Sequence, residues 1–159
     1  MLIILEGCDA TGKTTLANML APLLNAQIVH STTETPNTYA YFDSLIRASE
    51  HTNIIADRFC YSQFVYQDNE HRPLNPELYP KDNSNWLFYK CKNEWEVLYD
   101  LETEMLRNNT KVIYCYADAG VIAERMIVRG EDPIAIDEIL CGYRDLWKKT
   151  LIQPIWYKT

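Results

Sequence analysis

Cationic side chains are scarce in this chain: fifteen lysines and arginines stand against twenty-two aspartates and glutamates, a formal charge of −7. Such a surface repels nucleic-acid backbone, which excludes docking on DNA or RNA by bulk charge and leaves any anionic ligand in need of a local cationic pocket. Long hydrophobic runs are missing too. The longest aliphatic run is the five residues at the start, far short of the ~20 that a bilayer span needs. No basic segment or small-residue cleavage site precedes it, so no membrane partner is expected and the expected location is cytoplasmic. The five cysteines, Cys8, Cys60, Cys91, Cys115 and Cys141, form no C-x-x-C pair and are odd in number, which argues against a zinc knuckle or a disulfide framework and for reduced thiols. With five glycines and seven scattered prolines there is no linker, low-complexity tract or repeat, and 159 residues suit one compact domain.

What is present is an alternation of short apolar runs and helical periodicity. Residues 2–5 read as a strand covered on both faces. From Lys13 to near Asn25, Leu16, Met19, Leu20, Leu23 and Leu24 recur at helical spacing and predict a helix with one apolar stripe. Further strands are expected at 27–30, 53–56 and 112–116, with a last edge strand at 155–157. Helices are expected at 39–49, 61–67, 93–107, 120–129 and 136–149, while the Pro- and Asn-rich insertion over 68–93 gives no firm pattern. Strands alternating with helices imply parallel pairing through right-handed crossovers, and so a three-layer α/β/α sandwich around a five-stranded parallel sheet. Ligands in such sheets bind at the carboxyl ends of the strands.

The stretch LIILEGCDATGKTTL carries G-x-x-x-x-G-K-T between the first strand and the first helix. Successive backbone N–H groups and a helix N-terminus there cradle phosphate oxygens. Gly7, Ala10, Thr11, Gly12, Lys13, Thr14 and Thr15 are the expected phosphate-binding residues, with Lys13 on the terminal phosphates of ATP and the Thr14 hydroxyl on Mg²⁺. Asp57 closes the run NIIAD and is the second candidate magnesium ligand. Arg125 and Arg129 in ERMIVRGED are four apart and share a helix face; they also suit the negative end of that helix. Gly130 then stops the helix, opening a lid around 129–136.

These residues resemble the thymidylate kinase family of nucleoside monophosphate kinases, a P-loop NTPase fold. ILEGCDATGKTTL is similar to that family's F-E-G-x-D-G-x-G-K-[ST]-T, DRFCYSQFVYQ to its D-R-[YH]-x-x-S-x-x-A-Y-Q, and ERMIVRGED to its R-x-x-x-R-G lid entry. Together the three blocks cover about a quarter of the chain. The resemblance implies that Asp9, a carboxylate inside a phosphate loop, meets the sugar 3′-hydroxyl of the acceptor. It implies that Arg58 grips the acceptor phosphate and that Gln63, Tyr66 and Gln67 lie along base and sugar. Ala10 stands where some members carry a loop arginine, so Arg125 and Arg129 become the expected transition-state cations, catalytic together with Lys13 and Arg58. The family's R-E-P-G-G turn survives only as TTETP, with Glu34 matching; Phe42 is a candidate for base stacking, as are Tyr39 and Tyr41, and Arg47 for phosphate.

The implied activity is transfer of the γ-phosphoryl group of ATP·Mg²⁺ to the 5′-phosphate of a pyrimidine deoxynucleotide. Two alternatives stay open: a deoxynucleoside kinase with Glu34 as the base for a neutral hydroxyl, and a nucleotide-binding regulatory protein without chemistry. Small nucleotides are the expected partners, and a homodimer is left open.

Overall fold

The structure, a computed structural model, describes residues 1–32, 38–67 and 94–159. In chain order the elements are β1 (Leu2–Glu6), α1 (Lys13–Leu24), β2 (Ala26–His30), α2 (Tyr39–Ala48), β3 (Asn53–Asp57), α3 (Cys60–Gln67), α4 (Glu94–Arg107), β4 (Lys111–Tyr116), α5 (Ala119–Val128), α6 (Ile136–Trp147) and β5 (Ile155–Lys158). The five strands form one parallel sheet in the order β2-β3-β1-β4-β5. This is the expected P-loop α/β architecture, with β5 at an edge.

β1 is buried at all five positions because it is central and covered on both faces. Leu2 and Ile4 join the larger core, with Phe42, Phe59, Tyr61, Leu98, Tyr143 and Trp147. Ile3 and Leu5 join Ala17 of α1 and Ile55 on the opposite face. That two-sided burial is why the run shows no alternation.

The predicted α1 stripe needs correction. Leu16, Leu20 and Leu24 pack inward around Ala17, whereas Met19 and Leu23 are 61% and 79% exposed. Small residues at 17 and 21 let the helix approach the sheet, turning the bulky pair at 19 and 23 outward. No helix among the described residues is long and apolar enough to cross a membrane.

The chain leaves β1 toward β2 and β3 on one side and later returns to β4 and β5 on the other, so direction reverses at β1. A crevice therefore opens at the carboxyl ends of β1 and β3, where Leu5 lies in register with Asp57.

Candidate functional site

The loop after β1 is shaped by three left-handed residues, with φ 140° at Gly7, 58° at Ala10 and 73° at Gly12. Gly7 admits no side chain, since a Cβ there would stand 2.1 Å from the Cys115 carbonyl oxygen. The Thr11 hydroxyl turns inward and donates to the Cys8 carbonyl at 2.7 Å, bracing the loop. Lys13 opens α1 and folds its amine back over the loop, donating to the carbonyls of Gly7 at 3.0 Å and Cys8 at 2.6 Å. Burial, with repulsion from Arg58, pushes its pKa down to about 8 against the pull of Asp9, Asp57 and Glu6.

Behind the loop, the Thr14 hydroxyl donates to Asp57 Oδ2 at 2.6 Å. His30 Nδ1 lies 3.1 Å from that same oxygen, because the register of β2 on β3 sets His30 beside Asp57. A carboxylate and a hydroxyl at the mouth of a phosphate loop are hard oxygen donors, the donor type for magnesium that keeps waters and phosphate oxygens as its other ligands. The pair fits such an ion.

Arg58 follows Asp57 with φ 73°, a left-handed turn that swings its side chain across the crevice. The guanidinium pairs with Asp9 and lies 5.2 Å from the centre of the Tyr66 ring. Burial works to raise the Asp9 carboxyl, but Arg58, Lys13 and Arg129 outweigh it and hold the pKa below the usual carboxylate value. The acid in the phosphate loop is thus matched by cations on three other segments.

α5 ends in a hydrogen-bonded Gly130 turn, with the Gly130 N–H on Ile127 O and the Glu131 N–H on Met126 O, each at 2.9 Å. Arg125 reaches back to the Ala10 carbonyl at 3.3 Å and the Thr159 hydroxyl at 3.0 Å. Among the described residues, two clefts flank the loop. The wider, about 510 Å³, lies between α1, α5 and the end of β5 and is lined by Leu16, Met19, Arg125, Val128 and Tyr157 among others. The narrower, about 210 Å³, holds Asp9, Lys13, Thr14, His30, Asp57 and Arg58. Ala10, Gly12, Thr15 and Arg129 line both.

No protein-family model matches the chain. The SPbeta prophage-derived uncharacterized protein YorR of Bacillus subtilis (strain 168) is 30% identical over 151 residues, covering 91% of this chain and 81% of YorR. The chain belongs to the YorR family. YorR protein from Bacillus subtilis, solved in complex with phosphorylated GDP, matches with a TM-score of 0.74 and 27% identity over 99% of this chain and 85% of that one. Deoxyadenosine kinase from M. mycoides with products dCMP and a flexible dCDP bound gives a TM-score of 0.57 at 16% identity, covering 100% and 90% of the two chains. Thymidylate kinase from Candida albicans gives 0.53 at 16% identity, covering 99% and 82%. The two kinases share the P-loop α/β fold of this YorR-family chain.

Within that frame the candidate residues divide. Lys13, Thr14, Asp57, Asp9, Arg58 and Arg129 converge on the narrow cleft, and Arg125 stands in the wide one beside the loop. Phe42 does not serve as a base-stacking face: it is fully buried, its ring edge-on to Phe59 and Tyr41. Arg47 is corrected as well. It lies in the last turn of α2, near Ser49, whose carbonyl accepts from the Met1 ammonium just before β1, at the sheet end opposite the loop, and its side chain pairs with Asp43. Gln63 is half-buried on α3 and lines neither cleft. Glu34, the Gln67 side chain and the 68–93 insertion lie outside the described residues.

Sequence reading missed His30, Tyr157 and Thr159. His30 was findable, because a strand-end polar residue aligned with Asp57 falls at the carboxyl edge. Thr159 had no signal, since only the parallel pairing of β5 on β4 carries it to Gly12 and Arg125.

Proposed function

We propose that this YorR-family chain transfers the γ-phosphoryl group of ATP, bound with Mg²⁺, to the 5′-phosphate of a pyrimidine deoxynucleoside monophosphate. One observation carries the reading: two clefts meet at Ala10, Gly12, Thr15 and Arg129, with Lys13 and Arg58 in the narrower. A protein that only holds nucleotide needs one cleft and no cation beyond it. A phosphotransferase needs two anions brought end to end against their repulsion.

In this reading the wide cleft takes the donor, whose phosphates run along the loop N–H groups to Lys13. Arg58 takes the acceptor phosphate. An acceptor oxygen, already ionised near neutral pH, forms a bond to the γ-phosphorus as the bridge to ADP breaks, and ADP leaves with the electron pair. No strong base is required, so alignment and charge neutralisation by Lys13, Arg58, Arg125 and Arg129 supply the catalysis. Thr14 and Asp57 would hold magnesium, which when bound neutralises phosphate charge. Asp9 is left to accept from the sugar hydroxyl.

The test is release of ADP from ATP·Mg²⁺ in the presence of deoxynucleosides and their 5′-monophosphates. A guanine nucleotide belongs in the panel because the relative was solved with phosphorylated GDP. Nucleosides belong in it because deoxyadenosine kinase shares the fold. Turnover with monophosphates supports the reading. Turnover with nucleosides alone, lost in Glu34→Gln, replaces it with a nucleoside kinase, and ATP binding without acceptor-dependent ADP removes the enzyme altogether.

A further inference from the structure

Glu6, the last residue of β1, is completely buried, and among the described residues no lysine or arginine hydrogen-bonds its carboxylate. Its two oxygens are shared between two segments instead, the start of α3 and α6. Oε1 accepts the backbone N–H of Phe59 at 2.8 Å and of Ser62 at 3.1 Å. Oε2 accepts the hydroxyls of Ser62 and of Tyr143, the latter at 3.0 Å. The two hydroxyls lie 3.1 Å apart, and Tyr143 also stands 3.4 Å from the Gly7 carbonyl.

The amides at 59 and 62 are donors that the first turn of α3 leaves without intrahelical partners. Glu6 therefore caps α3 from a neighbouring strand. Immediately before them sits Arg58, left-handed at φ 73°, with its own N–H on Leu5 O at 2.9 Å. Consecutive residues of β1 thus anchor the peptide on either side of a strained residue, the arrangement under which such a backbone persists. Tyr143 comes from α6, the helix that follows residues 129–136.

We infer that Glu6 is a positioning residue for the acceptor phosphate: by holding the amides of Phe59 and Ser62 it sets where Arg58 projects, and through Tyr143 it joins that setting to α6. The inference rests on the monophosphate-kinase reading above. It concerns hydrogen bonding rather than charge. Glutamine keeps an acceptor for both amides, and the two hydroxyls can turn to accept from its amino group, whereas alanine strands both amides.

The experiment is steady-state kinetics of the full chain as wild type, Glu6→Gln, Glu6→Ala and Tyr143→Phe. The substrates are ATP·Mg²⁺ and whichever of dTMP, dCMP, dUMP and dGMP the wild type phosphorylates fastest. Glu6→Ala is expected to lower kcat/KM for the acceptor about tenfold or more, with the KM for ATP within about twofold. Glu6→Gln restores most of the loss, and Tyr143→Phe, which leaves no buried amide stranded, shows a partial loss of about threefold on the acceptor side alone. Acceptor and ATP parameters falling together, or an unchanged acceptor parameter in Tyr143→Phe, overturns the inference. Should Glu6→Ala fail to fold, Tyr143→Phe decides by the same split. A wild type that phosphorylates no monophosphate brings down the inference together with the reading; an active wild type with unaffected variants brings down the inference alone.

Discussion

Arg58 and Asp9 form an ion pair across the narrow cleft, joining the turn after β3 to the loop after β1. In the proposed complex each has another task, the arginine with acceptor phosphate and the acid with the sugar hydroxyl. A dianionic phosphate outcompetes a half-exposed carboxylate for the guanidinium, which then leaves the acid available as an acceptor. Asp9→Asn is accordingly expected to bind a monophosphate as well as wild type or a few-fold tighter. Its preference for a 3′-hydroxyl over a 3′-deoxy acceptor should collapse by about tenfold. Comparing kcat/KM for dTMP and its 3′-deoxy analogue checks this; preference that survives makes Asp9 a mere partner for Arg58.

Strain at Arg58 predicts a conflict between stability and activity. A non-glycine residue at φ 73° is unfavourable by about 1–2 kcal/mol relative to the right-handed region, and glycine escapes most of that. Glycine and alanine at 58 lose the same ion pair and ring contact, so their difference isolates the backbone. Arg58→Gly should be more stable than Arg58→Ala by about 1 kcal/mol in urea unfolding, while both lose about 2–4 kcal/mol of transition-state stabilisation. Equal stabilities would show that the left-handed turn relaxes when the side chain goes.

The depressed pKa of Lys13 has a definite sign. Folding lowers it from 10.5 to about 8, so between those values the unfolded chain binds more protons than the folded one. The unfolding free energy therefore rises with pH across that window, and the penalty is fully present below pH 8. Lys13→Met should be more stable than wild type at pH 7 by up to roughly 3 kcal/mol, a gap that closes toward pH 10.5. Polyphosphate beside the amine restores its proton affinity, so ATP binding at pH 8.5 should take up protons. Titration calorimetry in two buffers of different ionisation enthalpy measures the uptake, and a buffer-independent enthalpy refutes it.

The elements were legible because most are set by local pattern: the five strands and six helices among the described residues fall within two residues of their predicted bounds. The loop after β1, Asp57 at the end of β3 and the two arginines at the end of α5 fall at element ends as expected for a related reason, since each position is fixed by contiguous residues at a strand or helix end. Phe42 and Arg47 were misplaced because their roles depend on which face and which end of α2 meets the crevice. A helix running antiparallel to the sheet puts its last turn far from the carboxyl edge, and nothing within α2 announces that. Glu6 was visible only as part of a motif. Its hydrogen bonds join residues 53, 56 and 137 positions away, a relation that only the folded sheet creates.

Arg129 is the cation that, among the described residues, borders both clefts, while Arg125 is held to Ala10 O and Thr159 in the wide cleft, the donor side in the proposed reading. The two arginines at the end of α5 should therefore fail differently when removed. At the junction, a cation gains most as charge shifts from donor to acceptor, so Arg129→Ala should lower kcat by about 10²–10³ with both KM values within about threefold. Arg129 is free to move there, because its contact with Glu131 is a 3.3 Å pair between two half-exposed side chains, worth at most about 1 kcal/mol. Arg125→Ala removes a clamp on the loop and on the wide cleft, and should raise the KM for ATP about tenfold with a smaller fall in kcat. Initial rates over a grid of ATP and monophosphate concentrations separate the two patterns. Identical kinetic defects in both variants would mean that the arginines act as one patch, and that the boundary between the clefts does not mark where the phosphoryl group crosses.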